Sequence, residues 1–198
     1  MIRRIFFFIL LNTYTIVFYN MATIPIIFHL KHYLIIANMP PKRTETGINM
    51  RSVVQRVDRA RVCVEDRIIS SIGKGILVFL GIEKGDSKND ADYLHEKIIN
   101  LRIFEDIEEK MNLSLLDISG EMLVVSQFTL LGDCRKGRRP SFVAAEEPEE
   151  AKKLYEYFIC KAKEKISHVG AGEFKAMMKI ESVNDGPVTM LLDSKKIF

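Results

Sequence analysis

The sequence predicts a mixed α/β fold: a largely antiparallel sheet or open β-barrel flanked by two main helices. Three observations carry this. Several stretches alternate apolar and polar residues with period two, as half-buried strands do. Two runs, "GILVFLGI" at 75–82 and "EMLVVSQFTL" at 121–130, are apolar enough for central strands. Helical spacing occurs in only two places, without regular strand–helix alternation, which points away from a doubly wound sheet.

The elements follow in order. "RSVVQRVDRARVCVED", 51–66, sets valines against Arg, Gln and Asp and reads as a strand pair or one bent strand. A short turn at Glu65-Asp66 leads to "RIISSI". After the central run 75–82 the period changes. Asp86 or Ser87 caps a helix, Ser87-x-x-Asp90 fits a capping box, and Ala91, Leu94, Ile98 and Leu101 form its apolar face. "EDIEEKMN" reads as a polar loop, and 121–130 as the second central strand. "LGDCRKGRRPSF" is a basic loop. Pro148 suits the first turn of a second helix, whose inner face is Ala151, Leu154, Phe158, Ala162 and Ile166. Strand-like segments around 168–174, 177–183 and 188–193 finish the chain, with Asn184-Asp185-Gly186-Pro187 read as a turn between the last two. A sheet whose strands do not close can pair across a dimer.

The 198 residues suffice for one domain with a sizeable core, and 47% hydrophobic with 28% charged residues is ordinary for a globular protein. Residues 1–49 stand apart. They hold five of the 29 basic and one of the 26 acidic residues, which leaves 24 basic and 25 acidic in a near-neutral body. Nucleic-acid contact would therefore come from a local patch. No charge falls between Arg4 and Lys31, and two arginines before an apolar run resemble a signal anchor; Asn12, Thr13, Thr15, Asn20, Thr23 and Pro25 dilute that run. "MPPKRTETGINM" reads as a linker, and strand alternation starts sharply at Met50. The expected division is an N-terminal extension, 1–49, outside the fold, read as a stretch ahead of a mis-assigned start or alternatively as an anchor, and a domain at 50–198. His29 and His32 lack acidic or cysteine partners and read as incidental. Three scattered cysteines, Cys63, Cys134 and Cys160, without a C-x-x-C, argue against a disulfide framework or zinc ribbon and for a reducing cytosol.

No P-loop, dinucleotide fingerprint, nucleophile elbow or H-E-x-x-H occurs. The body has two histidines, His95 and His168, neither flanked as a catalytic triad requires. Cys134 sits among cations that favour a thiolate, yet reads as a non-catalytic loop cysteine. Two features bear chemistry. Ser126, Gln127 and Thr129 place polar groups at the end of an apolar strand, where sites commonly form, although from this strand alone Ser and Thr facing solvent over a core Phe128 and Leu130 is the preferred reading. Arg135, Lys136, Arg138 and Arg139, closed by Pro140 and Phe142, suit phosphate contacts and base stacking.

"SQFTL" at 126–130 and "NDGPVT" at 184–189 occur together with "MRSVVQRV" at 50–57, "NLRIFED" at 100–106, "KMNLSLLD" at 110–117 and "CRKGRRPSF" at 134–142. This constellation resembles the D-aminoacyl-tRNA deacylases, the D-Tyr-tRNA deacylase family, from Met50 to about Ser194. The resemblance implies a cytoplasmic homodimer, without metal or cofactor, that cleaves the ester between a D-amino acid and the terminal ribose of tRNA and also removes mischarged glycine. It implies that Gly186-Pro187 is a Gly-cis-Pro pair reaching into the partner's site as a chiral gate, and that Ser126, Gln127, Phe128, Thr129 and Leu130 line the pocket. Rigid main-chain carbonyls accept bonds from a substrate ammonium and crowd out a side chain of the wrong hand; glycine, with no side chain, passes. Thr129 is a candidate nucleophile without an evident base. The alternative is catalysis assisted by the ribose 2′-hydroxyl, with backbone amides near Phe128 and Thr129 steadying the oxyanion. A non-catalytic RNA-binding dimer using loop 135–139 is the rival reading.

A protein starting at Met50 is expected to be soluble, dimeric and fully active. Gel filtration and a deacylation assay check this; loss of folding or activity would place residues 1–49 inside the domain.

Overall fold

A computed structural model of the chain describes residues 49–196 throughout and, before them, the backbone of three short strands. Those strands, β1 (Phe8–Leu11), β2 (Thr15–Phe18) and β3 (Ile26–His29), pair antiparallel in sequence order. They belong to a compact unit at 1–46, separate from a second at 47–198. The rest of the expected anchor or extension lies outside the described residues. Among those described, no helix is long and apolar enough to cross a membrane.

In the second unit, strands β4 (Arg51–Val64), β5 (Arg67–Ile72), β6 (Gly75–Gly81), β9 (Glu121–Ser126), β10 (Val169–Ala171) and β11 (Lys179–Asp193) form one sheet. Its order is β10-β9-β6-β4-β11, with β5 paired to the second half of β4. A hairpin, β7 (Phe104–Glu105) and β8 (Met111–Leu113), lies outside the sheet, in the stretch expected to be a loop. The helices are α1 (Lys88–Ile99) and α2 (Pro148–Lys165).

The expected mixed α/β architecture is present, with one physical addition. β6, β9 and β10 run parallel to one another. Parallel neighbours need long crossovers, and α1 and α2 lie within them. The seam between β5 and β10 carries no ladder, but the His168 ring Nε2 sits 3.0 Å from the Ser71 carbonyl, so the barrel nearly closes.

Alternation sorts the side chains onto two faces. Met190, Val54, Val78, Val124 and Ala171 stand in register across five strands and face the helices. There they meet Leu94 and Ile98 of α1 and Phe158 and Ala162 of α2. Burying a side chain such as Leu94 or Phe158 contributes about 1.5–3 kcal/mol. The opposite face packs Val57, Val62, Leu77, Leu123 and Val125 inside the barrel. The α1 cap is as read from sequence: the Asp90 carboxylate accepts the Ser87 N–H at 3.0 Å and its hydroxyl at 2.7 Å. Pro148 occupies the first turn of α2, and Tyr155 and Ile159 join the expected inner face.

A buried and a half-buried group give the fold opposing pH dependences. His95 lies edge-on to Phe158, its Nε2 buried without a hydrogen-bond partner. Burial pushes its imidazole below 6.5, against the pull of Glu96, Asp92 and Glu164. The folded state then binds fewer protons than the unfolded one just below pH 6.5, so this term makes stability rise with pH there. Asp86 is the reverse. Burial, with Asp90, Glu83 and Glu146 nearby, lifts its carboxyl from 3.8 to about 7 although it accepts the Glu83 N–H. The folded state holds the extra proton, and stability falls as pH rises through that window. Denaturation midpoints across the window should therefore fall steadily with pH in His95→Phe and rise in Asp86→Asn. Parallel profiles in the two variants would refute this assignment.

Candidate active site

The three parallel strands end together. Beyond their carboxyl ends, where α/β sheets commonly hold ligands, lies a pocket of about 490 Å³. Leu80 and Ile82 come from the end of β6, Ser126, Gln127 and Phe128 from the end of β9, and Phe174 to Met178 from the chain after β10. Ala145, Glu146, Pro148 and Ala151, at the start of α2, form another wall. Behind it, the Tyr155 hydroxyl donates to the Val124 carbonyl at 2.8 Å and lies 3.2 Å from that of Gly172, tying β9 to the chain after β10. Burial raises this phenol well above its ordinary range.

Strand β9 is shorter than the expected 121–130. It stops at Ser126, and Phe128–Leu131 form a 3-10 turn. The Gln127 N–H still donates to the Leu80 carbonyl at 2.7 Å; then the chain folds over Gly81. A Cβ at position 81 would sit 2.6 Å from Leu131 Cδ2 and 2.9 Å from the Gln127 carbonyl, so only glycine there admits the turn. The turn aims Ser126, Gln127 and Phe128 into the pocket. Thr129 is exposed and not among the lining residues; its Oγ1 accepts a short hydrogen bond from Gln127 Nε2. Phe128, 58% exposed, meets the edge of Phe142 with centroids 5.1 Å apart, and Met177 is 92% exposed at the rim, so the mouth offers uncovered apolar surface.

The segment expected to be a turn at 184–187 is an insertion within one strand. Asn184 opposes Val57 and Thr189 opposes Gln55, so β11 runs along β4 on both sides of it. Asn184 Oδ1 accepts the Val188 N–H at 3.2 Å, and Asn184 Nδ2 donates to Thr189 Oγ1 at 3.1 Å. The Gly186-Pro187 peptide is cis, and Gly186 has φ +113°, where a Cβ would stand 2.8 Å from Val188 Cγ2. Arg56 holds the base of the loop. Its side chain is buried; Nε lies 2.9 Å from the Asp185 carboxylate as an ion pair without hydrogen-bond alignment. Nη1 donates to the Ile103 carbonyl at 2.7 Å, and Nη2 lies 3.6 Å from Glu105. Gly186 and Pro187 do not line their own chain's pocket.

Residues 53–193 match the family described as D-Tyr-tRNA(Tyr) deacylase. The chain belongs to this family. A D-aminoacyl-tRNA deacylase of Syntrophus aciditrophicus is 71% identical over 149 residues, which are 75% of this chain and 100% of the relative. The solved structure of a c-Myc DNA Unwinding Element Binding Protein superposes with TM-score 0.69 at 41% identity, over 72% of this chain and 97% of that one. A probable eukaryotic D-amino acid tRNA deacylase, 18% identical, superposes with TM-score 0.65 over 74% and 100% of the two chains and supports the fold alone.

In this deacylase-family chain the basic loop sits beside the pocket, joined through Phe142. Its four cations are exposed but unequal. Arg135 grips Asp133 through Nε at 2.9 Å and Nη2 at 2.7 Å, which holds the Asp133 carboxyl far below its usual range. Lys136, Arg138 and Arg139 have no such partner among the described residues. Cys134 is exposed in the same loop. His95 and His168 line no part of the pocket, and among the described residues no three His, Cys, Asp or Glu side chains converge as metal ligands would. Sequence reasoning missed Arg56, Asp185, Glu146 and the Phe174–Met178 wall. Arg56 had a signal: it shares the inward parity of Val54, where an arginine interrupts an apolar alternation.

Proposed function

We propose that the chain hydrolyses the ester of D-aminoacyl-tRNA, and of glycine mischarged on tRNA, releasing free amino acid and tRNA in the cytoplasm. Membership of the deacylase family carries this reading. The pocket suits the ester end of the tRNA, an apolar cavity with a few polar groups. Ser126, Gln127 and Phe128 orient the substrate, and the amides opening the 3-10 turn, those of Phe128 and Thr129, steady the oxyanion. Lys136, Arg138 and Arg139, with Arg135, hold tRNA phosphates.

The working unit is a homodimer. Gly186-Pro187 lies outside its own pocket, and the pocket mouth carries uncovered Phe128 and Met177. A partner's loop covering that mouth would bury these side chains and bring its carbonyls to the substrate ammonium. Being main chain held by Arg56, Asn184 and Thr189, the loop excludes an L side chain by position, while glycine escapes.

The tRNA assists the chemistry. Thr129 Oγ1 accepts a hydrogen bond from an amide, which is no base for activating a nucleophile. The ribose 2′-hydroxyl is better placed to activate water. A second reading, nucleic-acid binding without catalysis, is favoured by the basic loop and by the name of the 41%-identical relative, which describes DNA binding. Release of D-tyrosine from D-Tyr-tRNA, with Gly-tRNA also cleaved and L-Tyr-tRNA spared, separates the two. In that assay Thr129→Ala should lose less than about a hundredfold, against the roughly million-fold loss seen when a true nucleophile is removed. A 2′-deoxy terminal ribose should be the poorer substrate. An acyl-enzyme trapped on Thr129 would overturn the assisted mechanism.

The gate has its own test. Gly186→Ala forces a side chain into a φ that disfavours it and against Val188, so the loop must shift. The ratio of D to L cleavage should fall while the dimer persists in gel filtration. A lower melting temperature with unchanged chiral selectivity would make the loop merely structural.

A further inference from the structure

On the sheet face that carries Arg56, a second cleft opens between β4, β5 and β11, with a volume of about 440 Å³. Asp58 is an extra residue in β4, since Val57 opposes Asn184 and Arg59 opposes Val183. Val57 and Ala60 consequently both point into the barrel, and Arg59 and Arg61 fall on the same side as Arg56. The cleft thus adjoins the base of the Gly186-Pro187 insertion. Ser71 stands opposite Arg61 from β5, and Glu181 from β11. Arg61 is taken up by Glu181 through Nε at 3.0 Å and Nη2 at 2.7 Å. Arg59 is different: it is exposed on the cleft wall, and among the described residues no hydrogen bond or ion pair occupies its guanidinium. With the Arg61–Glu181 pair neutral, the cleft keeps an uncompensated planar cation on the same face as the Ser71 hydroxyl. That combination matches a phosphodiester: a guanidinium fork for two anionic oxygens and a hydroxyl donor on its flank. The volume is many times the about 30 Å³ share of one water, so the cleft has room for a nucleotide.

We propose that this cleft seats a backbone phosphate of the bound tRNA, with Arg59 as its cation, a contact separate from loop 135–139. The proposal rests on tRNA being the partner. It gives the gate loop a neighbour that fixes the nucleic acid beside it.

The test measures binding of uncharged tRNA to the full chain across a salt series, so that hydrolysis is not read. Arg59→Gln should weaken binding roughly tenfold, the size of one charge-assisted contact. It should also make the log–log salt slope shallower by about one. Arg59→Lys should restore most of the slope, because the charge returns. Arg67→Gln, which removes the same charge from a residue paired with Glu65, should leave it unchanged. Thermal melts establish that each variant is folded. An affinity and slope equal to wild type in folded Arg59→Gln overturn the proposal, as does an equal loss in Arg67→Gln. Inorganic phosphate is the second probe. If it stabilises wild type but not Arg59→Gln while both bind tRNA alike, the cleft takes a free anion and the tRNA seat is wrong. A protein that binds tRNA through Arg59 yet releases no D-amino acid would sink the hydrolytic reading and leave this one standing.

Discussion

The pairing of β4 with β11 is the constraint on which the other features depend. β4 is a long strand with sheet partners along both edges for most of its length: β6 and β5 on one side, β11 on the other. Its first half presents Val54 to the helices and its second half presents Val62 to the barrel interior. Two irregularities make this possible, Asp58 on β4 and residues 185–188 on β11. Extra residues in a ladder twist and re-aim the strand that carries them. Here they bend the pair around the barrel, and they leave a backbone excursion at Gly186-Pro187 that belongs to no ladder. Arg56 fastens this excursion with Asp185 and the Ile103 carbonyl. A buried guanidinium is costly unless its charge is compensated, and the Asp185 carboxylate that compensates Arg56 belongs to the loop it holds in place.

The pocket is placed by a different part of the topology. β6, β9 and β10 are parallel because helical crossovers separate them, and parallel strands end on the same side. The ends of these strands converge there, with Ser126 and Gln127 supplying polar groups from the end of β9. The pocket they form has hydrogen-bond donors and apolar walls but neither histidine. On the proposed reading such a site positions an activated ester and stabilises developing charge, and an RNA substrate carries its own hydroxyl next to the bond to be broken.

Much of this was legible in the sequence where the controlling interactions are local. The Ser87/Asp90 box, Pro148 at the start of α2 and the apolar run of β6 lie within one turn or one strand. Pattern told strand from helix but not strand direction, because alternation of period two is the same in parallel and antiparallel ladders; the parallel trio was therefore missed. The early end of β9 depends on Gly81, which meets Leu131 and the Gln127 carbonyl only after folding. The segment at 184–187 has the composition of a turn, and composition alone cannot tell a reversal from an insertion. Only the register against Val57 and Gln55 does. The Phe174–Met178 wall follows β10 without any periodicity of its own. Ser126, Gln127 and Phe128 stood out because polar groups ended an apolar run, whereas Arg56 was hidden inside one.

A gate made of main chain has a consequence for discrimination. A side-chain pocket separates ligands by what it attracts, and one methylene changes such attraction by only about 1–3 kcal/mol. Telling a D from an L residue asks for rejection of the same atoms in another arrangement. Attraction alone discriminates weakly there, and exclusion by a fixed obstacle discriminates strongly. The obstacle must be rigid, since a yielding one lets the wrong isomer in. On the proposed reading, rigidity comes from Arg56 below, Asn184 and Thr189 across the neck, and a glycine whose φ suits no other residue. None of these groups needs to touch the substrate side chain. On that reading the gate reads handedness without reading side-chain identity, and glycine, lacking the atom being read, passes for the same reason.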